Sequence, residues 1–493
     1  MGIEIDRAEF DADDEERFSS RLRESLEALE ELTRRRGFGQ GPARIGMELE
    51  MSLVDSDCRP LARNEEVIAA CASDRMDVEL NRFNIEYNSR PVALAGEPFS
   101  TLGAELRQGL THAQNAADTL GGRVAVVGIL PTLREADLQS DALTDRFRFH
   151  ALSSRIRQVR QAPFHVRVDG PEPVDIVCDD VTLEGANTSL QIHLQVAPER
   201  FAATLNAAQI ATGPALALAG NSPYVVGRRG WEETRVALFR QAVDDRSPDS
   251  HWRPARVSFG NGWVRSGPVE LFAETVALHA PLLPVCSDED PLHVIDEGGV
   301  PALDELRLHH GTVWRWNRAV YDPSGEGSVR IELRALPAGP TVEDMVANAA
   351  FLVGLTLAIA DETEWVLAAL PFRYAEYNFM EVARRGLDAT LLWPARRAPS
   401  PRPVPAVELL ERLIRAADIG LESAGVEAGE RHHHLEIVRE RVEAGRTGSR
   451  WQAQVTERAE ASGLDRDRAL AVMMDEYLQR SRGGAPVHTW STD

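Results

Sequence analysis

Four short stretches of the chain alternate apolar and polar residues, and a period of two marks a strand with one buried and one open face. In Arg44-Ile45-Gly46-Met47-Glu48-Leu49-Glu50-Met51-Ser52-Leu53, the apolar residues Ile45, Met47, Leu49, Met51 and Leu53 share one face and leave Glu48 and Glu50 together on the other. Around Asn84-Ile85-Glu86-Tyr87-Asn88 the polar set is Asn84, Glu86 and Asn88. Leu190-Gln191-Ile192-His193-Leu194-Gln195-Val196 sets Gln191, His193 and Gln195 on one side, and Val329-Arg330-Ile331-Glu332-Leu333-Arg334 does the same for Arg330, Glu332 and Arg334. An amphipathic antiparallel sheet with a wet outer face accounts for any one of these strands. Four whose polar sides gather carboxylates, an imidazole, amides and guanidinium groups point to a site that takes a cation and an anion together.

Between the strands the period changes. Residues 7–36 are charged, with Phe18, Leu22, Leu26, Leu29 and Leu32 at helical spacing, which predicts an amphipathic N-terminal helix. Helices are also predicted over 98–120, 199–219, 268–282, 341–360 and 374–386, and Asp169-Gly170-Pro171 and Pro323-Ser324-Gly325 mark turns. Strands and helices do not alternate regularly, so the reading is α+β rather than a doubly wound parallel sheet. Five prolines between Pro394 and Pro405 read as a stiff connector, and 406–483 reads as wholly helical. The chain thus divides into an N-terminal helix (1–42), a main domain (43–393), a connector (394–405) and a C-terminal helical region (406–493) packed on the main body. His432-His433-His434 lies on one predicted helix, where adjacent side chains diverge, so it reads as solvated surface and receives no ligand role.

Composition narrows the functions. A net charge of −23 argues against a nucleic-acid backbone as partner, because such proteins need a basic patch to displace counterions. Lysine is absent, so all 54 basic residues are arginine, and a phosphate clamp must be made of arginine, metal or backbone. Cys58, Cys71, Cys178 and Cys286 form no C-x-x-C pair, which favours a reducing cytoplasm. The start Met1-Gly2-Ile3-Glu4-Ile5-Asp6 is acidic with no apolar h-region, and the longest apolar run, near Ala349 to Ile359, is too short to span a bilayer. The expectation is a soluble cytoplasmic protein that handles small molecules, without nucleic acid or membrane, and compatible with a homo-oligomer.

Gly46-Met47-Glu48-Leu49-Glu50, Asn84-Ile85-Glu86-Tyr87-Asn88, Ser189-Leu190-Gln191-Ile192-His193, Gly220-Asn221-Ser222-Pro223-Tyr224 and Ile331-Glu332-Leu333-Arg334 follow one another in an order that resembles glutamate–cysteine ligase family 2. These are carboxylate–amine ligases with a glutamine synthetase-like fold, whose curved antiparallel sheet carries the site. The resemblance runs over 43–390, closing on Asn378 and Arg385-Gly386-Leu387-Asp388-Ala389. It implies ATP as co-substrate and Mg2+ or Mn2+ as metal, held by Glu48, Glu50, Glu79, Glu86, Gln191 and Glu332. It further implies that Arg334 steadies the transferring phosphate with Glu332, and that Arg330 contacts the nucleotide. Arg235, His193 and Arg315 stand at substrate-binding positions, with Arg235 as the clamp on an α-carboxylate; Arg318 beside Arg315 is a second anion candidate. At the third strand the sequence has Q-x-H where many members carry H-x-H or H-x-N, so either Gln191 or His193 is the metal ligand there.

The chemistry suits these residues. Joining a carboxylate to an amine in water needs an activated acyl group, and ATP supplies one as an acyl phosphate. The transfer gathers several negative charges that divalent cations with oxygen ligands offset. The resemblance implies glutamate's γ-carboxylate as the activated group. The same activation with another acid or amine, a nucleotide-binding pseudoenzyme that serves regulation or assembly, and phosphoryl transfer to a guanidinium are the alternatives. Trp314, Trp316 and Trp393 are adenine-stacking candidates whose default is core packing.

Overall fold

The computed structural model describes residues 5, 7, 9–395 and 400–492. The acidic start of the chain therefore lies mostly outside the described residues.

The four alternating stretches all become strands, and they are neighbours. The sheet comprises β1 (Arg44–Val54), β2 (Met76–Val78), β3 (Asn84–Asn88), β4 (Val92–Ala93), β5 (Arg123–Ala125), β6 (Leu190–Gln195), β7 (Asn317–Asp322) and β8 (Ser328–Leu333). Its order is β7-β8-β6-β1-β3-β2, with β4 and β5 paired to the ends of β1, and every pairing is antiparallel. Ile45, Met47, Leu49, Met51 and Leu53 are all buried, as the alternation predicts. Ile85, Ile192, Leu194, Ile331 and Leu333 continue that apolar face across the sheet. It is covered by α2 (Pro98–Thr119), α3 (Pro198–Ala219) and α4 (Val342–Ala360). Among the described residues α4 is the one helix long and apolar enough to cross a membrane, and 83% of its most apolar window is buried inside the protein, so it is a core helix.

The N-terminal helix α1 (Ala12–Thr33) begins at an Asp11 capping box, in which the Asp11 and Asp14 side chains each accept the other's backbone N–H. Its buried face, Phe18, Leu22, Leu29 and Leu32, packs against helices Pro268–Leu278, Pro291–Asp296 and Asp304–His310. Two of them line the cavity on the sheet's open face, through Phe272 and through Arg307, Leu308 and His310.

The proline-rich stretch folds back on itself. Thr390–Trp393 pairs antiparallel with Arg402–Pro405, an edge ribbon in which proline's missing donor costs little, while 396–399 lie outside the described residues. Four helices follow within 406–483: α5 (Ala406–Ser423), α6 (Ala428–Ala444), α7 (Gly448–Ala461) and α8 (Arg466–Gly483). They are bound into the core: α5 and α6 pack along α4, and the buried Tyr477 of α8 donates its hydroxyl to Val126 O at 2.8 Å.

Candidate active site

Strand register decides which polar groups meet. Glu50 stands directly opposite Glu86, Glu48 opposite Gln191, and His193 opposite Glu332. Together they face a cavity of about 260 Å3, whose far wall is built by Arg148 and Phe149 and by the segment with His310, Thr312 and Trp314. Of the three tryptophans considered for adenine, Trp314 borders this cavity, while Trp316 packs edge-on to Phe239.

One half of the site is an arginine-clamped carboxylate. Arg318, cross-strand from Glu332, holds it with two parallel bonds, Nε to Oε2 at 2.7 Å and Nη2 to Oε1 at 3.0 Å. Arg334 Nη1 adds a contact to Oε2 at 3.2 Å. Burial opposes ionisation of Glu332, but Arg318, Arg334 and His193 prevail and keep its carboxyl well below the usual range. Glu48 behaves alike: burial works against its charge, and the His193 imidazole, with Nε2 at 2.8 Å from Glu48 Oε1, pulls it down to about 2.

The other half holds too many carboxylates for its positive charge. Glu50, Glu79 and Glu86 bring one oxygen each within 4.8 Å of one another. Burial, with Glu48 and Glu50 nearby, pushes Glu86 up to about 7. Burial, with Glu86, Glu50 and Glu184 nearby, raises Glu79 well above the carboxylate range, and burial outweighs Arg334 and Arg235 to raise Glu50. Glu184, in the short 3-10 turn Glu184–Ala186, also lines the cavity and is pushed up to about 8 by burial and by Glu50. Like-charged groups packed this way retain protons unless a cation replaces them. Hard oxygen donors in such a cluster fit Mg2+ or Mn2+.

Two polar residues of β6 connect the halves. Gln191 Nε2 donates to Glu50 Oε1 at 2.8 Å, while its Oε1 accepts from Arg334 Nη1 at 2.6 Å. A carboxylate can only accept and a guanidinium only donate, so the amide orientation is fixed. The amide oxygen expected to coordinate metal thus accepts from Arg334, which uses one of its two lone pairs. Arg330 Nε donates to His193 Nδ1 at 2.9 Å, which leaves the ring proton on Nε2, aimed at Glu48. With Glu48 and Glu332, His193 also brings one possible metal-donor atom within 4.8 Å of the others. Arg330 itself lines the cavity, with Nη1 on Asp322 at 2.9 Å.

Two arginines expected at substrate-binding positions do not line this cavity. Arg235 is buried behind the site, with Nη1 donating to Glu233 Oε1 at 3.0 Å and to Ala335 O at 3.1 Å, and Nη2 to Arg334 O at 3.3 Å. It positions the backbone that carries Arg334 and does not line the cavity. Arg315 is likewise buried, on Glu274 Oε1 at 3.1 Å and Leu271 O at 3.3 Å. Sequence reasoning missed Glu184, which sits in a turn with no periodicity to flag it. Arg318, the second anion candidate, does line the cavity, where it pairs with Glu332 through a register that no local pattern displays. The motif Asn221-Ser222-Pro223-Tyr224 is structural: Asn221 Nδ2 donates to Ala338 O at 2.7 Å and to Tyr477 Oη at 2.8 Å, tying the segment after β8 to the C-terminal helices.

The fold is shared with a solved ligase. The glutamate–cysteine ligase of Francisella tularensis, crystallised in complex with AMP, superposes with a TM-score of 0.56 at 12% identity, over 92% of this chain and 91% of that one. A bifunctional glutathione synthetase from Pasteurella multocida aligns with a TM-score of 0.47 at 11% identity, over 94% of this chain and 55% of that one. A direct comparison with curated proteins finds no match. The class is that of carboxylate–amine ligases of the glutamate–cysteine ligase type, built on an antiparallel sheet with helices behind it. The chain belongs to glutamate–cysteine ligase family 2, whose sequence profile matches residues 44–470. The match runs past the proline-rich stretch and takes in α5, α6 and α7, which the sequence resemblance over 43–390 had left outside.

Proposed function

We propose that the protein is an ATP- and divalent-cation-dependent ligase that activates the γ-carboxylate of glutamate, or of a closely similar acid, as an acyl phosphate and joins it to an amine. Cysteine is the acceptor in the family's name. The observation that carries this reading is the division of one cavity into a proton-holding carboxylate cluster and an arginine-clamped carboxylate beside it. Glu50, Glu79 and Glu86 would hold one cation, with Glu48 and Glu332 as further oxygen donors. Bound Mg2+ or Mn2+ would supply the charge that lets nucleotide phosphates and an attacking carboxylate approach each other.

The chain's own part is positioning. Gln191 and Glu332 hold one end of the Arg334 guanidinium, while its buried Nε has no hydrogen-bond partner among the described residues. A buried N–H left unpaired is costly, and a phosphate oxygen is the acceptor this one suits. Arg318 keeps Glu332 ionised and fixed, and Arg235 holds the carbonyls of Arg334 and Ala335 from behind. An adenine nucleotide as co-substrate is further supported by the AMP in the Francisella ligase crystal.

The test is phosphate release from ATP and Mg2+ with glutamate fixed and a panel of amines varied, then with the acid varied. Release that depends on glutamate and cysteine together is the expected result. Release with another pair would keep the chemistry and reassign the substrates. No release with any pair would overturn the ligase reading and leave a nucleotide-binding module.

A further inference from the structure

A second group of metal-binding side chains lies outside the ligase cavity, where α6 meets the first turn of α4. Neighbouring positions on a helix are about 100° apart, so three consecutive histidines cannot all face one point. His432 is exposed, but His433 and His434 do converge, with ring centroids 4.8 Å apart and planes at 71°. With Glu343 of α4 they bring one donor atom each within 4.8 Å of one another.

The buried member is what distinguishes this from chance proximity. His434 is 2% exposed, and neither of its ring nitrogens has a hydrogen-bond partner among the described residues. An imidazole that has given up water for no hydrogen bond, with only the Glu430 carboxylate at 3.5 Å from Nε2, is poorly compensated as it stands.

The flanking groups are arranged to orient the three. Arg107 Nη1 holds Glu343 Oε1 at 2.5 Å, leaving Oε2 3.5 Å from His433 Nε2. Glu430 Oε1 stands 3.5 Å from His434 Nε2, and its carboxylate is fixed by Ser100, whose backbone N–H donates to Oε1 at 2.7 Å and whose hydroxyl donates to Oε2 at 2.5 Å. A fixed carboxylate beside a ligating histidine is the usual outer support of such a site.

We propose that Glu343, His433 and His434 form a binding site for a divalent transition-metal ion of the Zn2+ class, distinct from the ligase cavity, which pins α6 to α4. Two imidazoles and one carboxylate suit Zn2+, Ni2+ or Co2+, whereas Mg2+ and Ca2+ favour sets made of oxygen alone. Three protein donors leave a fourth position for water, on the side where His433 is exposed.

The full-length protein, stripped with a chelator and kept in excess Mg2+ to occupy the ligase carboxylates, is titrated with Zn2+ by calorimetry beside His433→Asn and Glu343→Gln. His433 is on the surface, so its variant is expected to fold normally and to keep its Mg2+-supported activity. Wild type should bind one tight equivalent that each variant loses or holds more weakly by roughly 10–100-fold at least, the size of effect seen when even an outer partner is removed. Co2+ substituted for Zn2+ should give d–d absorption bands in wild type that disappear in His433→Asn. Equal Zn2+ stoichiometry and affinity in wild type and variants would overturn the site, as would wild type that binds no Zn2+ under these conditions.

Discussion

At the scale of single residues, the chemistry rests on how arginines are shared out. Of the arginines that line the cavity on these strands, Arg318 is spent on Glu332 and Arg330 on His193 and Asp322, while Arg334 combines a fixed end with an unpaired Nε. Arg334→Lys keeps the charge but loses the planar fork that can hold Gln191, Glu332 and a phosphate at once. Because that contact strengthens as charge develops, kcat should fall roughly 10²–10³-fold with a smaller change in KM for ATP. Steady-state kinetics on folded variant would show it, and near wild-type turnover would remove Arg334 from the site. The crowded carboxylates predict a pH effect of definite sign. Glu86 titrates at about 7 and Glu184 at about 8, above the ordinary 4.5. Between those limits the unfolded chain has released protons that the folded chain retains, so these groups make stability fall as pH rises from about 4.5 to about 8. Melting temperatures of cation-free protein across that window should fall less steeply for Glu184→Gln than for wild type, and Mg2+ should stabilise wild type more at pH 8 than at pH 5.5. Parallel curves for the two proteins would contradict the assignment.

At the scale of elements, the strands were legible because each apolar residue of β1 had to find a covered face, and a one-residue slip would have exposed all five. That logic fixes faces but not partners. Nothing in the sequence says that Glu50 lies opposite Glu86 or that Arg318 reaches Glu332, since register comes from turns and packing elsewhere in the chain. Direction along a helix is equally hidden: Arg235 sits on a helix beside the site, yet turns toward backbone carbonyls and Glu233. Close packing of helices was also unreadable. A Cβ on Gly420 of α5 would fall on the carbonyl oxygen of Gly354 in α4, a backbone atom that cannot step aside. Helix propensity alone would have Gly420→Ala stabilise α5 by up to about 1 kcal/mol. Overpacking should win, with a loss of about 1–3 kcal/mol by denaturant unfolding and a looser C-terminal layer. A stabilised variant would show that the two helices separate freely.

At the scale of the molecule, one of the links between the C-terminal helices and the helices covering the sheet is a buried carboxylate. Asp344 lies in the first turn of α4, where Thr341 caps the helix, accepting the Asp344 N–H at 3.1 Å and donating its hydroxyl to Asp344 Oδ2 at 2.8 Å. Its Oδ1 takes Arg441 Nη2 of α6 at 2.7 Å, and the Val487 backbone N–H reaches the same carboxylate at 3.0 Å. The Asp344 and Arg441 side chains are 0% and 1% exposed, so neither charge has water to fall back on. Arg441 also donates to Asn348 and, at 3.4 Å, to Leu218 O at the end of α3, so it touches two of the three helices that cover the sheet's apolar face. Arg441→Met should therefore cost about 3–5 kcal/mol, because it strands the Asp344 charge rather than merely removing an attraction. Neutralising the partner in Asp344→Asn/Arg441→Met should recover part of that loss, and the coupling in a double-mutant cycle would separate the stranded charge from lost packing. Chemical denaturation should remain a single transition in wild type, with sheet and C-terminal helices melting together. A loss below about 1 kcal/mol for Arg441→Met, with catalytic turnover intact, would mean that 406–493 is held to the main body by something other than this pair.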